Sequence, residues 1–198
     1  MLNRNIRLLE AMQEKLYFTV EDLADVFQVK SGSALVLANR YTKNGSFIRL
    51  KRNFYVLRQR WQYFSYSDFL QLANLVQVPS YISFMTALNF YEITTQVQRD
   101  FFESAALKRS IRFNVQDKDF SYYKLKKEYY FGFIKSGDIF IASKEKAFVD
   151  TVYLYSFGKY KFDFSAIDIN KLDKSKIKKL IKVYPEKTQA VINKLCKI

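Results

Sequence analysis

An α+β fold that begins with a winged helix-turn-helix is what this 198-residue sequence predicts. Three observations carry that expectation. The first sixty residues read as helix, short helix, turn, helix and hairpin. From Thr95 to Ala142 the chain breaks into short aromatic or β-branched segments separated by polar turns. From Ser143 onward it returns to helical periodicity.

A first amphipathic helix is expected over residues 3–16, with Ile6, Leu9, Met12 and Leu16 at helical spacing. In "FTVEDLADVF", Thr19 is an N-cap, Glu21 and Asp22 suit the positive helix end, and Val20, Leu23, Ala24 and Phe27 share a face. "QVKSGSALVLANRYTKNG" supplies a turn and a further helix, with Ser31 or Ser33 as cap and Asn44-Gly45 as stop. Ala34, Leu35, Ala38 and Tyr41 are expected to face inward, and Ser33, Val36, Arg40 and Lys43 outward. "FIRLKRNFYVL" then reads as two strands folded about Lys51-Arg52-Asn53.

The polar and aromatic stretch after residue 60 marks the boundary between a domain at 1–60 and a second at 61–198. Ser65 or Ser67 caps a helix through "DFLQLANLVQ", which stops at Val78-Pro79-Ser80. A helix through "ISFMTALNFYEI" has Ser83 as its cap and Phe84, Ala87, Leu88 and Tyr91 at core spacing. Four or five strands of a small antiparallel sheet follow, with Ser136-Gly137-Asp138 as a hairpin turn. In "SKEKAFVDTVYLYSF" Ser143 caps a helix that turns Ala147, Phe148, Val152 and Tyr155 inward. The tail is helical: Ile177, Leu180, Ile181 and Tyr184 form a stripe, and Pro185 opens a last helix holding Val191, Ile192 and Leu195.

Composition narrows the function classes. Nearly half the residues are apolar, with few Gly and Pro, so the chain folds. Histidine is absent, which removes the commonest general base and metal ligand. One cysteine, Cys196, excludes an intramolecular disulfide and a cysteine-based zinc site. No glycine-rich phosphate loop occurs, and none of the 19 acids has lysine two residues on, as DNA-cutting carboxylate sites commonly do. Asp117-Lys118-Asp119 reads as an ordinary loop. The expectation is a protein with no catalytic residues, metal or cofactor. No apolar run reaches the length of a membrane span and no secretion signal is legible, so no membrane partner and a bacterial cytoplasmic location are expected.

The net charge is +14, and its placement is informative. No acid lies between Asp25 and Asp68, a span holding Lys30, Arg40, Lys43, Arg49, Lys51, Arg52, Arg58 and Arg60. A winged helix places its third helix in the major groove and its hairpin on the flanking backbone. The candidate DNA-binding residues are therefore Lys30, Ser31, Ser33, Val36, Arg40, Lys43, Arg49, Lys51 and Arg52. Arg40, Lys43, Lys51 and Arg52 suit phosphates, Ser33 a base edge or the helix cap, and Val36 a thymine methyl. Nine lysines follow Ile169 against only Asp173 and Glu186. Of these, Lys174, Lys178, Lys179 and Lys182 form a solvated face, a further DNA-backbone contact or a surface for an acidic partner.

Two segments carry a family resemblance. "PSYISFMTALNFYEI" (79–93) resembles Tyr-x-Ser-x-x-x-Ala-Leu-x-x-(Tyr/His)-Gly-Leu, and "DIFIASKEKAFVDTVYL" (138–154) resembles Val-Ala-x-Pro-Glu-Lys-Ala-Leu-x-Asp-x-x-Tyr-Leu. Both patterns occur, after an N-terminal winged helix, in the antitoxins of AbiE abortive-infection systems, which are type IV toxin–antitoxin modules. Glu92 stands where glycine is usual and Lys144 where proline is usual; Glu145, Lys146, Ala147 and Asp150 match. The resemblance implies an autorepressor that binds inverted repeats in its own double-stranded promoter DNA. It also implies an antidote to a cognate nucleotidyltransferase-like toxin, without a stable complex between the two. No long heptad seam is legible, so a free monomer that places two copies on the operator is expected. A plain transcriptional regulator with a ligand-sensing or dimerising second domain is the alternative.

Overall fold

The computed structural model describes residues 11–96 and 98–198. Ile6 and Leu9 of the expected first helix lie outside the described residues, whereas Met12 is buried. The protein is α+β, with a two-stranded antiparallel sheet and a six-stranded mixed sheet. It divides into two compact units, Met1–Leu72 and Ala73–Ile198. The division falls inside a helix, twelve residues beyond the expected boundary at residue 60. Trp61 and Phe64 explain the shift for the first unit. Both pack edge-on against Phe69, with ring centroids 5.0 and 5.7 Å away, so the stretch after residue 60 is core rather than linker.

In the first unit, α1 (Val20–Phe27) starts at a capping box in which Thr19 and Asp22 satisfy each other's backbone amides. Helix α2 spans Ser31–Lys43. Strands β1 (Phe47–Lys51) and β2 (Phe54–Leu57) form the expected hairpin, and Phe18 adds a third, single-residue pairing to Tyr55 with both N–H···O bonds at 2.9 Å. The core is Met12, Phe18, Leu23, Ala34, Leu37, Ala38, Tyr41, Phe47 and Tyr55 with their neighbours. Leu37 takes the inward place expected for Leu35, because the buried stripe runs Ala34, Leu37, Ala38, Tyr41 at i, i+3, i+4, i+7. Helix α3 is Arg58–Trp61, and α4 is Tyr66–Val76, capped by Ser65 rather than Ser67.

In the second unit, β3 (Ser80–Ile82) precedes α5 (Phe84–Phe90), so the start of the segment expected to be wholly helical is a strand. Strands β4 (Phe101–Ala106), β5 (Ile111–Val115), β6 (Lys118–Lys124), β7 (Phe133–Ser136) and β8 (Ile139–Ala142) complete a sheet of order β5-β6-β4-β3-β8-β7. The sheet is not the small antiparallel one expected. The local hairpins β5–β6 and β7–β8 are antiparallel, but β4 runs parallel to β6 and β3 parallel to β8. Tight turns reveal local pairing only. The non-local pairings have no turn signal between them.

Helix α6 (Lys144–Ser156) packs against α5, α7 (Lys174–Leu180) and α8 (Glu186–Cys196). Every residue from Glu145 to Leu154 is buried, so the helix lacks a solvent face over most of its length. Tyr155, expected to point inward, is 46% exposed instead, one residue past this wrapped stretch. Among the described residues no helix is long and apolar enough to cross a membrane.

Candidate nucleic-acid interface and a buried ionic cluster

Helix α2 begins without a side-chain cap. Lys30 occupies the N-cap position, so neither Ser31 nor Ser33 caps, and both hydroxyls are exposed. The first-turn N–H groups are therefore left to solvent or to an anion. Lys30, Ser31, Ser33, Val36, Arg40 and Lys43 all reach the surface of this helix. Val36 is 67% exposed and Leu35 is 47% exposed, which sets two aliphatic side chains among the polar ones.

The hairpin is pinned at its turn. Asn53 adopts a left-handed conformation with φ of 56°, its side-chain oxygen accepts the Val20 N–H at 2.7 Å, and its amide donates to Glu21 at 2.7 Å. That hydrogen bond from Asn53 is the main reason the Glu21 carboxyl sits below its ordinary pKa. The turn is thus tied to the start of α1, with Arg52 exposed beside it and Lys51 over the Phe54 ring. Arg49 points outward from β1 and donates to the Lys51 carbonyl. Among the described residues, no carboxylate lies within ion-pair distance of Lys30, Arg40, Lys43, Arg49 or Arg52. The tail residues Lys174, Lys178, Lys179 and Lys182 are exposed on the second unit, likewise without an ion pair among the described residues.

The two segments that carry the family resemblance meet in the second unit. Lys146 and Asp150, one turn apart on α6, form an ion pair with both side chains wholly buried. Tyr81 and Ser83 each donate to Asp150 at 2.9 Å, Tyr184 donates to it at 3.2 Å, and the Lys146 ammonium donates to the Tyr81 hydroxyl at 2.9 Å. The rings of Phe131, Tyr81 and Tyr184 surround the ammonium at 5.2, 5.5 and 5.8 Å. Gly132 closes this cage with φ of 72°, where a Cβ would stand 3.1 Å from Lys146 Cγ. Burial pulls the ammonium pKa below its ordinary value, against the opposing pull of Asp150. Burial likewise raises the Tyr81 and Tyr184 hydroxyls.

Ser83 stands at the N-cap position of α5 but makes no capping bond, since its hydroxyl is drawn to Asp150. Glu103 on β4 takes over, accepting the Met85 N–H at 3.2 Å. It also accepts the Tyr160 hydroxyl at 2.8 Å and the Tyr123 hydroxyl at 3.4 Å. Burial lifts the Glu103 carboxyl to about 7 despite these donors. The two departures from the family patterns are explained locally. Glu92 holds φ of 55° at the end of α5, where glycine is favoured, and Lys144 is the first residue of α6, where proline is favoured.

Asp119 is engaged by Arg112 at 3.0 Å, and Lys118 lies between Asp100 and Asp117. Among the described residues no group of three or more acids or cysteines is placed to hold a metal ion. Sequence reasoning found the exposed basic residues but not the Lys146–Asp150 cluster. Its signal was present: Tyr81 and Ser83 are two apart, the first within β3 and the second just past it, and Lys146 and Asp150 are four apart on a helix, each pair set among apolar residues.

Neither a protein-family model nor a curated protein matches the chain. The crystal structure of the RV2827C protein from Mycobacterium tuberculosis is similar, with a TM-score of 0.66 over 98% of this chain and 76% of that one, at 7% identity. That likeness shows a shared fold.

Proposed function

We propose that the first unit is a winged helix-turn-helix and that the chain is a DNA-binding autorepressor and antitoxin. Helix α2 is the reading helix and the β1–β2 hairpin the wing. The observation that carries this reading is the set of exposed cations on those two elements, Lys30, Arg40, Lys43, Arg49 and Arg52, which have no ion-pair partner among the described residues. Neutralising phosphates supplies most sequence-independent affinity, and the uncapped α2 N-terminus suits a further phosphate. Val36 and Leu35 are exposed in the part of the helix that would meet thymine methyls, with Ser33 beside them. The Phe18 pairing to β2 supports the reading too, since this single-residue bridge stands before α1, where a winged helix has its first strand.

The antitoxin role rests on the resemblance of residues 79–93 and 138–154. In this reading the free protein is a cytoplasmic monomer, two copies fill an inverted repeat, and the opposed toxin is nucleotidyltransferase-like. A reporter driven by the chain's own upstream DNA tests the first role, using the full chain and its Arg40→Ala/Lys43→Ala/Arg52→Ala variant. Repression by the parent and its loss in the variant are expected. Co-expression with the adjacent toxin gene tests the second. Repression without rescue of growth identifies a plain regulator.

A further inference from the structure

The exposed side of α2 is ordered by helical position. The buried stripe of Ala34, Leu37, Ala38 and Tyr41 leaves Gly32, Val36, Asn39 and Lys43 in a line on the opposite side, at i, i+4, i+7 and i+11. Given α2 as the reading helix, on which this assignment rests, we propose that the line selects adenine–thymine base pairs. Val36 meets a thymine methyl, and Asn39 takes the N6 and N7 of an adenine.

Gly32 points to a close neighbour outside the protein. Glycine is less favourable than alanine in a helix, and a Cβ at Gly32 would meet nothing within 4 Å, so packing among the described residues does not call for it. A bare position on the outward line instead lets the first turn of α2 approach a duplex closely. Val36 is 67% exposed, with Leu35 exposed on its flank, so an aliphatic surface faces outward where a thymine methyl can cover it. Asn39 is exposed about one turn further on. Its amide sets a donor beside an acceptor, which matches the N7 acceptor and N6 donor that adenine shows in the major groove. Three helical residues advance about 4.5 Å along the axis and a base-pair step about 3.4 Å, so Val36 and Asn39 address neighbouring pairs. Arg and Lys, the usual guanine readers, do not occur on the line before Lys43 in the last turn. No acid stands anywhere on α2, and Lys30, Arg40 and Lys43 give it the charge that suits the phosphates on either side of the groove.

The test starts from duplexes that the full chain selects out of a random-sequence pool. The enriched duplex is titrated by fluorescence anisotropy beside two copies, one with uracil for thymine, which lacks the methyl, and one with 7-deazaadenine for adenine, which lacks N7. The parent should bind the uracil copy about fourfold more weakly and the 7-deazaadenine copy at least about fivefold more weakly. Val36→Ala should no longer distinguish uracil from thymine, and Asn39→Ala should no longer distinguish 7-deazaadenine from adenine, each keeping the other discrimination. Gly32→Ala should melt no lower than the parent yet bind the enriched duplex more weakly, a combination that a purely structural role would not give. Unchanged binding by Gly32→Ala overturns the close approach of that turn. If the pool gives no enriched sequence, α2 fails as a reader and the base-pair assignment falls with it. An enriched duplex that binds as well in its substituted copies overturns the adenine–thymine assignment alone. Variants that keep both discriminations overturn it too, because other residues then read those pairs. All three positions are exposed, and melts of Val36→Ala and Asn39→Ala that match the parent verify folding.

Discussion

Lys146 and Asp150 form an ion pair within a protein interior from which both are fully shielded. Three hydroxyls, from Tyr81, Ser83 and Tyr184, converge on the same carboxylate. A buried pair of this kind adds little net stability compared with apolar residues, but breaking it leaves an uncompensated charge. Its partners come from β3, α6 and the segment before α8, so the cluster specifies how these elements meet.

Replacing Asp150 with Asn should therefore destabilise the protein by roughly 3–5 kcal/mol, because the Lys146 ammonium loses its counter-charge. The double variant Lys146→Met/Asp150→Asn should recover a large part of that loss, since no buried charge then remains. Urea denaturation of the two singles and the double reads this directly. Additive losses would show that the pairing itself contributes nothing.

Glu103 predicts a pH dependence. Its carboxyl titrates near 7 in the folded protein against 4.5 ordinarily, so the folded state holds a proton that the unfolded chain has released. This contribution is fully present below about pH 4.5 and is lost as pH rises through 7, to the extent of roughly 3 kcal/mol. Glu103→Gln should flatten the stability profile across that window. A variant profile parallel to that of the parent would assign the slope elsewhere.

Glu92 occupies a left-handed backbone position that costs a side-chain-bearing residue about 1 kcal/mol. Glu92→Gly should raise stability by about that amount, because the Glu92 contact recorded with the Lys171 ammonium is made by its backbone carbonyl. A fall in the melting temperature would mean that the carboxylate contributes more than the backbone strain removes.

The sequence made local features legible and left the non-local ones hidden. Helix α1, the β1–β2 hairpin and the Gly137 turn each announce themselves through caps, periodicity or turn residues within a few positions. The parallel pairings of β4 with β6 and β3 with β8 depend on which strands meet across long separations, and no adjacent residue encodes that. Exposed candidate residues such as Arg40 and Arg52 could be named because surface position follows from helical phase and turn placement. Ser83 could not be understood alone: it looks like a cap, and only the fold brings Asp150 to its hydroxyl.

The central claim is that α2 and the hairpin read DNA. Its most direct test is a gel-shift titration of the full chain on its own upstream DNA and on a scrambled duplex, repeated over a series of salt concentrations. The account predicts tighter binding to the upstream DNA and loss of that preference in Arg40→Ala/Lys43→Ala/Arg52→Ala. It also predicts a salt slope lower by about 2–3 in the variant, at roughly 0.9 per phosphate contact. Equal binding to both duplexes, with an unchanged slope in the variant, would contradict it and leave the +14 charge as general attraction to polyanions.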